Sequence, residues 1–382
     1  MHSEALQNAR VELMCSLSLL HSQRVCDGER IWHLCWSPNG SFLASCGEDK
    51  MIRIWQCLNI DAWGDLDLLS GDISTPITMM GAPSTSSQSA SSKCSIRCLA
   101  TLEDDAQTRT LRCCEWSPDG RMMASASFDG TVVVWESQNA SMTHWDQIAS
   151  LEGHENEVKS VAWSHDGKFL ATCGRDKRVW IWEQIVNSHE FECVSMLEGH
   201  TQDVKFIQWH PHESVLFSAS YDDTIRVWAA EDEGADEFYC IATLAGHTST
   251  VWALAVDPTG RRLVTGSADA SMILWESDGK AWRAVHSLRG AHGANPIYSL
   301  SWSAEHGHIL SGAGDNHVAV CRASRDLGGV GEWTLGWLAA CSQQAAHSGD
   351  VNCARWNPVP ARAHLAASAS DDGSIKFWRL DL

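Results

Sequence analysis

The sequence predicts an all-β protein built from one unit repeated seven times. Three observations predict it. Among 382 residues there are 20 Trp but only 3 Tyr, and the tryptophans recur at a fixed phase. Trp135, Trp182, Trp228 and Trp275 stand 47, 46 and 47 residues apart, each with an Asp six residues earlier, at Asp129, Asp176, Asp222 and Asp269. The segments between these landmarks are short alternating or β-branched runs bounded by turn residues, the pattern of short strands.

The copies follow in chain order. Asp49 with Trp55 and Asp372 with Trp378 hold the same phase, and one further copy has Asp315 with Cys321 in place of the Trp. An earlier Trp marks most copies, at Trp36, Trp116, Trp163, Trp209, Trp302 and Trp356, with Val256 replacing it in the fifth. Nine residues before it stand His154, His200, His247 and His347, and ten before it His292; Asp27 and Gln107 hold that phase in the first two copies. In the third copy Val158–Trp163 alternates, Ser164-His165-Asp166-Gly167 turns, Phe169–Cys173 runs apolar, Arg175-Asp176-Lys177 turns, and Val179–Trp182 completes the set. A repeat of about 40–45 residues with Gly-His early and Trp-Asp late resembles the WD40 family. The resemblance implies a seven-bladed WD40 β-propeller of four-stranded blades.

Leu13–Leu20 reads as a fourth strand with no repeat before it, and the seventh copy ends after its third strand at Trp378. The N-terminal strand, residues 13–20, is therefore expected to close the last blade and hide its edge. Residues 1–382 then form a single domain. One interval is long, the 80 residues from Trp55 to Trp135, and its excess lies at about 56–95 in blade 1. The tail of that insert, Ser84–Ser92, has seven Ser or Thr in nine residues and cannot bury a core. The acidic run Glu231–Glu237 falls at the equivalent place in the fourth copy. Both are expected to be solvated loops on the bottom face.

Composition narrows the function. Lys and Arg number 28 against 48 Asp and Glu, a formal charge of −20, which disfavours binding to nucleic acid or an anionic membrane surface. No apolar run approaches the roughly 18 residues of a membrane span. Met1-His2-Ser3-Glu4 lacks a basic region leading into an apolar one, so no secretory signal is expected. The 15 cysteines make an odd number without a compact framework, which points to a reducing compartment, cytoplasm or nucleus.

His154, Thr172, Asp176 and Trp182 contain the residue types of a hydrolase triad, where a base activates a hydroxyl. The set recurs as His200, Ser218, Asp222 and Trp228, and as His247, Thr265, Asp269 and Trp275. A catalytic site is not built three times around a ring, so these tetrads are expected to be structural, hydrogen-bonded in series inside each blade as in the resembled fold. The cysteines form no Cys-x-x-Cys pair, and no phosphate loop, dinucleotide fingerprint or nucleophile elbow is present. No cofactor, metal or enzymatic activity is expected. Cys98, Cys193 and Cys240 share one position in successive fourth strands and are expected to pack as small hydrophobes.

What remains is surface. In a propeller the loops entering the first strand and the turns before the Asp converge on the top rim. The residue four before the first-strand Trp is Trp32, Arg112, Lys159, Lys205, Trp252, Tyr298 and Asn352 in turn. The residue before the turn Asp includes Phe128, Arg175 and Tyr221. An acidic chain thus places Arg112, Lys159, Arg175 and Lys205 among aromatic residues on one face, a composition that suits protein binding and an acidic partner. Glu157 and Asp203 stand near enough in sequence to pair with some of these cations.

The third to fifth copies carry a narrower resemblance. Leu151–Trp163, Ala171-Thr-Cys-Gly-Arg-Asp-Lys177, His200–Lys205, Ser218-Ala-Ser-Tyr-Asp-Asp-Thr224 and Gly246–Trp252 closely resemble the cytosolic iron–sulfur protein assembly WD40 family. Leu43–Gly47, Ala124–Asp129, Asp350–Cys353 and Trp356–Pro358 extend the likeness over all seven copies. The resemblance implies a non-catalytic scaffold in the targeting complex that delivers clusters to cytosolic and nuclear apoproteins. It implies a small cysteine-bearing subunit and a large HEAT-repeat subunit as partners, and gives Arg175 a functional role. Some members end the third strand of blade four in Leu-Tyr-Arg, which recruits a co-chaperone; here that place reads Val227-Trp228-Ala229. The alternative reading is an unrelated WD40 adaptor in chromatin or ubiquitin-ligase complexes, which has no reason to keep Glu155-Asn156-Glu157 or Tyr221–Thr224.

Overall fold

The computed structural model describes residues 16–26, 28–60, 95–105, 107–185, 188–230, 237–305, 307–325, 333–340 and 346–381. Its strands form seven four-stranded antiparallel sheets. Blade 3 is representative: Val158–Trp163, Phe169–Gly174, Val179–Gln184 and Phe191–Leu197 follow one another outward from the centre. Each first strand packs against the first strand of the next blade, and Val351–Trp356 of blade 7 returns to Ile31–Trp36 of blade 1, so the seven sheets make a ring. One turn of 3-10 helix, Pro360–Arg362, lies between the first and second strands of blade 7.

The first three strands of each blade are nearly all buried, because both faces of a blade are covered by its neighbours. The core accordingly lies between blades. One cluster joins Phe169, Ile181 and Leu197 of blade 3 to Trp209, Trp228 and Phe238 of blade 4.

The closing strand is Ser16–Arg24, shifted from the expected 13–20, and residues 13–15 lie outside the described residues. It pairs antiparallel with Ser374–Asp381, from Ser16 opposite Asp381 to Arg24 opposite Ser374. Leu17 enters the core beside Val320, Trp356 and Leu380. In blade 1 the third strand runs Ile52–Leu58 and the fourth begins at Ser95. The rest of the 56–95 insert, from 61 to 94, and the acidic run up to residue 236 lie outside the described residues.

All seven first strands carry the same irregularity. In blade 3 Val158 faces Gly174 and Ser160 faces Cys173, so Lys159 is an extra residue with no partner opposite it. The same bulge falls on Trp32, Arg112, Lys205, Trp252, Tyr298 and Asn352. A β-bulge re-aims the side chain of the residue it inserts. The bulge therefore acts at the position that the sequence assigns to the top rim in every blade.

Candidate functional site

Inside the blades the repeated polar set forms a chain. His154 Nδ1 meets Asp176 Oδ2 at 2.7 Å, His154 Nε2 meets Thr172 Oγ1 at 2.8 Å, and the Trp182 indole N–H donates to that hydroxyl at 3.0 Å. With Nδ1–H donating to the carboxylate, a neutral imidazole has Nε2 left as acceptor for the hydroxyl proton. His200, Ser218, Asp222 and Trp228 repeat this at 2.7–2.8 Å. His247, Thr265, Asp269 and Trp275 do so at 2.8–3.1 Å. The structure adds two members: His347 with Asp372, Ser368 and Trp378, and His292 with Asp315 and Ser311, where buried Cys321 replaces the indole. In blade 2 the Ser125 hydroxyl donates to Gln107 Oε1 at 2.9 Å, so an amide takes the imidazole's place. Asp27 lies outside the described residues.

Burial pushes the Asp269 carboxyl up, but bonds from Ser271, Thr248 and His247 outweigh it and hold it down to about 2. Burial draws the His247 and His347 imidazoles below their ordinary range, favouring the neutral form. The second oxygen of each Asp accepts from the turn that follows it, from Arg178, Thr224 or Ser271, so the arrangement satisfies buried polar groups in series.

The upper rim is where unlike groups converge. The bulges fall on Arg112, Lys159 and Lys205 of three successive first strands, and aromatic rings fill the spaces between them. Arg112 lies over the Trp32 ring at 4.9 Å, Lys159 over Phe128 at 4.0 Å, and Lys205 between Tyr221 and Trp252, 5.1 Å from each. Trp252 and Tyr298 meet edge to face at 5.6 Å. The nine rim residues expected from the sequence therefore divide into eight that form chains of ring and cation contacts and one, Arg175, at the margin. Tyr221 is the most open of the rings, 54% exposed.

Arg175 is exposed, at the turn after the second strand of blade 3. Gly174 before it is a close approach: a Cβ there would stand 2.5 Å from the Glu157 carbonyl oxygen, while the Arg175 N–H donates to that oxygen at 2.9 Å. Arg175 reaches both carboxylate oxygens of Glu157 at 3.3 Å, and Arg109 reaches Glu157 at 3.5 Å. Burial raises the Glu157 carboxyl, but its own backbone N–H and the charges of Lys159 and Arg175 hold it below the usual range. Lys205 pairs with Asp203 at 3.1 Å.

Two features escape the sequence reading. Arg355, one residue before Trp356, and His33 meet at the seam of blades 7 and 1 at 3.1 Å, and Phe206 of blade 4 reaches both from across the channel, closing it beneath the rim. A charge at a channel-lining phase was the available signal. The second is that Cys98 and Cys193 are exposed, which corrects the expectation that they pack as small hydrophobes, while half-buried Cys240 does pack against the core between blades 3 and 4. They sit on outer strands, whose outward side has no neighbour. Among the described residues one group, Cys26, Glu29 and Asp49, brings three metal-capable atoms within 4.8 Å, and Arg53 is bonded to its Asp49 carboxylate.

The WD domain, G-beta repeat, matches the chain seven times, at residues 18–56, 96–136, 145–183, 191–229, 238–276, 282–321 and 337–379. Protein CIA1 of Arabidopsis thaliana is 43% identical over 370 residues, covering 92% of this chain and 93% of its own. The chain belongs to the cytosolic iron–sulfur protein assembly family of WD40 propellers. Two further members of the iron–sulfur assembly family match over nearly their whole length. The probable cytosolic iron–sulfur protein assembly protein CIAO1 homolog of Caenorhabditis elegans is 34% identical over 369 residues, 93% of this chain and 96% of its own. The corresponding Ciao1 protein of Culex quinquefasciatus is 38% identical over 367 residues, 92% and 95%. As in a WD40 propeller generally, the chain is a platform of blades. Among its described residues no helix is long and apolar enough to cross a membrane.

Proposed function

We propose that this chain, as one domain, is a non-catalytic scaffold of the cytosolic iron–sulfur targeting complex, working in the cytosol and also in the nucleus. It helps deliver clusters, as cargo, to cytosolic and nuclear apoproteins. Its partners in this reading are a small cysteine-bearing subunit, a large HEAT-repeat subunit and the apoprotein clients. The observation that carries the reading is the rim, where Arg112, Lys159, Lys205 and Arg175 of blades 2–4 stand among Phe128 and Tyr221 of the same blades and Trp32, Trp252 and Tyr298 of blades 1, 5 and 6. Rings and cations brought together on one face are what protein interfaces concentrate at their hot spots. Similarity to iron–sulfur assembly proteins over more than nine-tenths of the chain supports the choice of complex. The tetrads act in this reading as internal braces.

Affinity purification from a cell extract tests it. Capture of a small cysteine-bearing protein together with a HEAT-repeat protein is the expected result, and the purified chain itself should carry no stoichiometric iron. Capture of chromatin or ubiquitin-ligase components in their place would overturn it in favour of an unrelated adaptor.

A further inference from the structure

The cations of the rim are not equivalent. Arg175 already holds both oxygens of Glu157, Lys205 has Asp203, and Arg30 lies 3.5 Å from Asp371 and 3.7 Å from Glu48. Arg112 and Lys159 have neither an ion pair nor a side-chain hydrogen bond among the described residues; each rests on a ring, Trp32 and Phe128. Below them Arg355 bonds the Ser299 hydroxyl at 3.0 Å, the carbonyls of Leu300 and Ala354, and His33, and the one carboxyl among the described residues whose charge it feels is that of buried Glu115, on the side away from the rim cations. These three positive charges crowd one end of the channel. Burial first, and then the charges of Lys205 and Arg112, draw the Lys159 ammonium down to about 8. Arg112 is likewise lowered by burial, with Arg355 adding to the effect.

A crowded, partly desolvated set of like charges costs free energy until an anion joins it, and a low local dielectric makes the joining strong. Arg112 and the plug of Arg355, His33 and Phe206 line one almost filled space of about 10 Å³, too small for a carboxylate, so an anion arriving from the rim goes no deeper than Arg112. Acidic groups stand two blades away, beyond Trp32: Asp350 and Asp371 lie on blade 7, Asp371 paired with Arg30, and burial and then Asp371 raise the Asp350 carboxyl. An anion is therefore repelled from blade 7 and drawn to blades 2 and 3.

We infer that the upper end of the channel is a carboxylate seat centred on Arg112, and that an acidic segment of a protein partner is gripped there rather than at Arg175. The inference rests on the docking role proposed above and names its central contact. Arg112 supplies a planar fork able to take both oxygens of one carboxylate, Lys159 supplies a point charge beside it, and Trp32 and Phe128 hold the two cations in place.

The probe is a blocked hexaglutamate peptide, titrated calorimetrically into the full chain, with blocked hexalysine and inorganic phosphate as controls. Hexaglutamate should bind and hexalysine should not. Arg112→Gln should weaken binding by about tenfold or more, as expected for a charge-assisted contact, and Arg175→Gln by less than about threefold. Lys159→Gln and Arg112→Lys, which respectively remove a point charge and the fork, should each fall between these, and they decide the matter if Arg112→Gln does not fold. No binding, equal losses at Arg112 and Arg175, or binding of phosphate without the peptide would overturn the seat. Co-purification separates this from the proposed complex. Peptide binding that depends on Arg112 while other partners are captured would sink the complex and leave the seat. The two named subunits and the clients all captured undiminished by a folded Arg112→Gln chain would sink the seat and leave the complex.

Discussion

Arg175 and Glu157 face each other across the turn of blade 3, with the guanidinium 3.3 Å from both carboxylate oxygens. The Glu157 carboxylate therefore sets how the Arg175 head is displayed on the rim. Arg175→Glu places two carboxylates together and frees Arg109 to compete for them. The site is exposed, so unfolding free energy should change by no more than about 1 kcal/mol. Capture of an acidic partner should weaken, and more so at low salt than at high. Pull-downs at two salt concentrations, with thermal melts alongside, check both statements; unchanged capture by a folded variant would remove Arg175 from the contact surface.

The tetrads predict a stability effect without a chemical one. His154→Ala leaves Asp176 and Thr172 without their shared partner, and Asp176→Ala leaves His154 Nδ1 without its acceptor. Each should cost about 1–3 kcal/mol, the usual penalty for an unsatisfied buried polar group. Denaturant titration measures it. A folded variant that had lost a turnover present in the parent would restore the catalytic reading.

Acid should loosen the ring in two stages. The neutral His247 and His347 imidazoles have lowered folded values, so their contribution declines as pH falls below about 6.5, where the unfolded chain begins to take up protons first. The Asp269 carboxylate, held to about 2 against 3.8, contributes above 3.8 and loses that contribution as pH falls toward 2. Melting temperatures from pH 7 to 3 should fall progressively, and His247→Gln should flatten the upper stage.

Rim binding should also titrate. Burial above all, joined by Lys205 and Arg112, brings the Lys159 ammonium down to about 8 against Glu157 and Asp203, which favour its charge. Binding of an acidic peptide should therefore weaken between pH 7 and 9 as this ammonium loses its proton. Lys159→Arg keeps the charge and should move the loss to higher pH. A flat profile in the parent would mean that Lys159 lies outside the contact.

Removing residues 1–24 should lower the melting temperature by several degrees or more, since Ser374–Asp381 would lose its outer partner and Leu17 its place beside Trp356. Addition of a peptide spanning residues 16–24 should recover part of the loss.

The ring was legible because one constraint is written seven times: an Asp six residues before a Trp cannot recur at 46 or 47 residues by accident. The tetrad members were legible for the same reason. The bulge was not, because Val158-Lys159-Ser160 reads as ordinary alternation and the extra residue shows only in the partner strand. Nor was the plug. Arg355 and His33 lie 322 residues apart and meet only because blades 7 and 1 adjoin. The exposure of Cys98 and Cys193 was hidden by a period-two pattern that does not distinguish an outer strand from an inner one. Arg175 drew notice through its motif, while Arg112, in a less distinctive stretch, is with Lys159 a rim cation that has no carboxylate partner among the described residues.

The pairing of Ser16–Arg24 with Ser374–Asp381 has a kinetic side. Ser18 and Asp381 are hydrogen-bonded across 363 residues of chain. A contact of that span adds little loop-closure cost beyond a shorter one, yet it cannot form until every intervening blade is in place. During synthesis the early strand must wait, exposed, until blade 7 leaves the ribosome. Local hairpins can form blade by blade in the meantime, but cooperative folding is deferred to the final residues. Folding should therefore be slow and end in one late step, and the waiting strand is the segment a holding chaperone would meet.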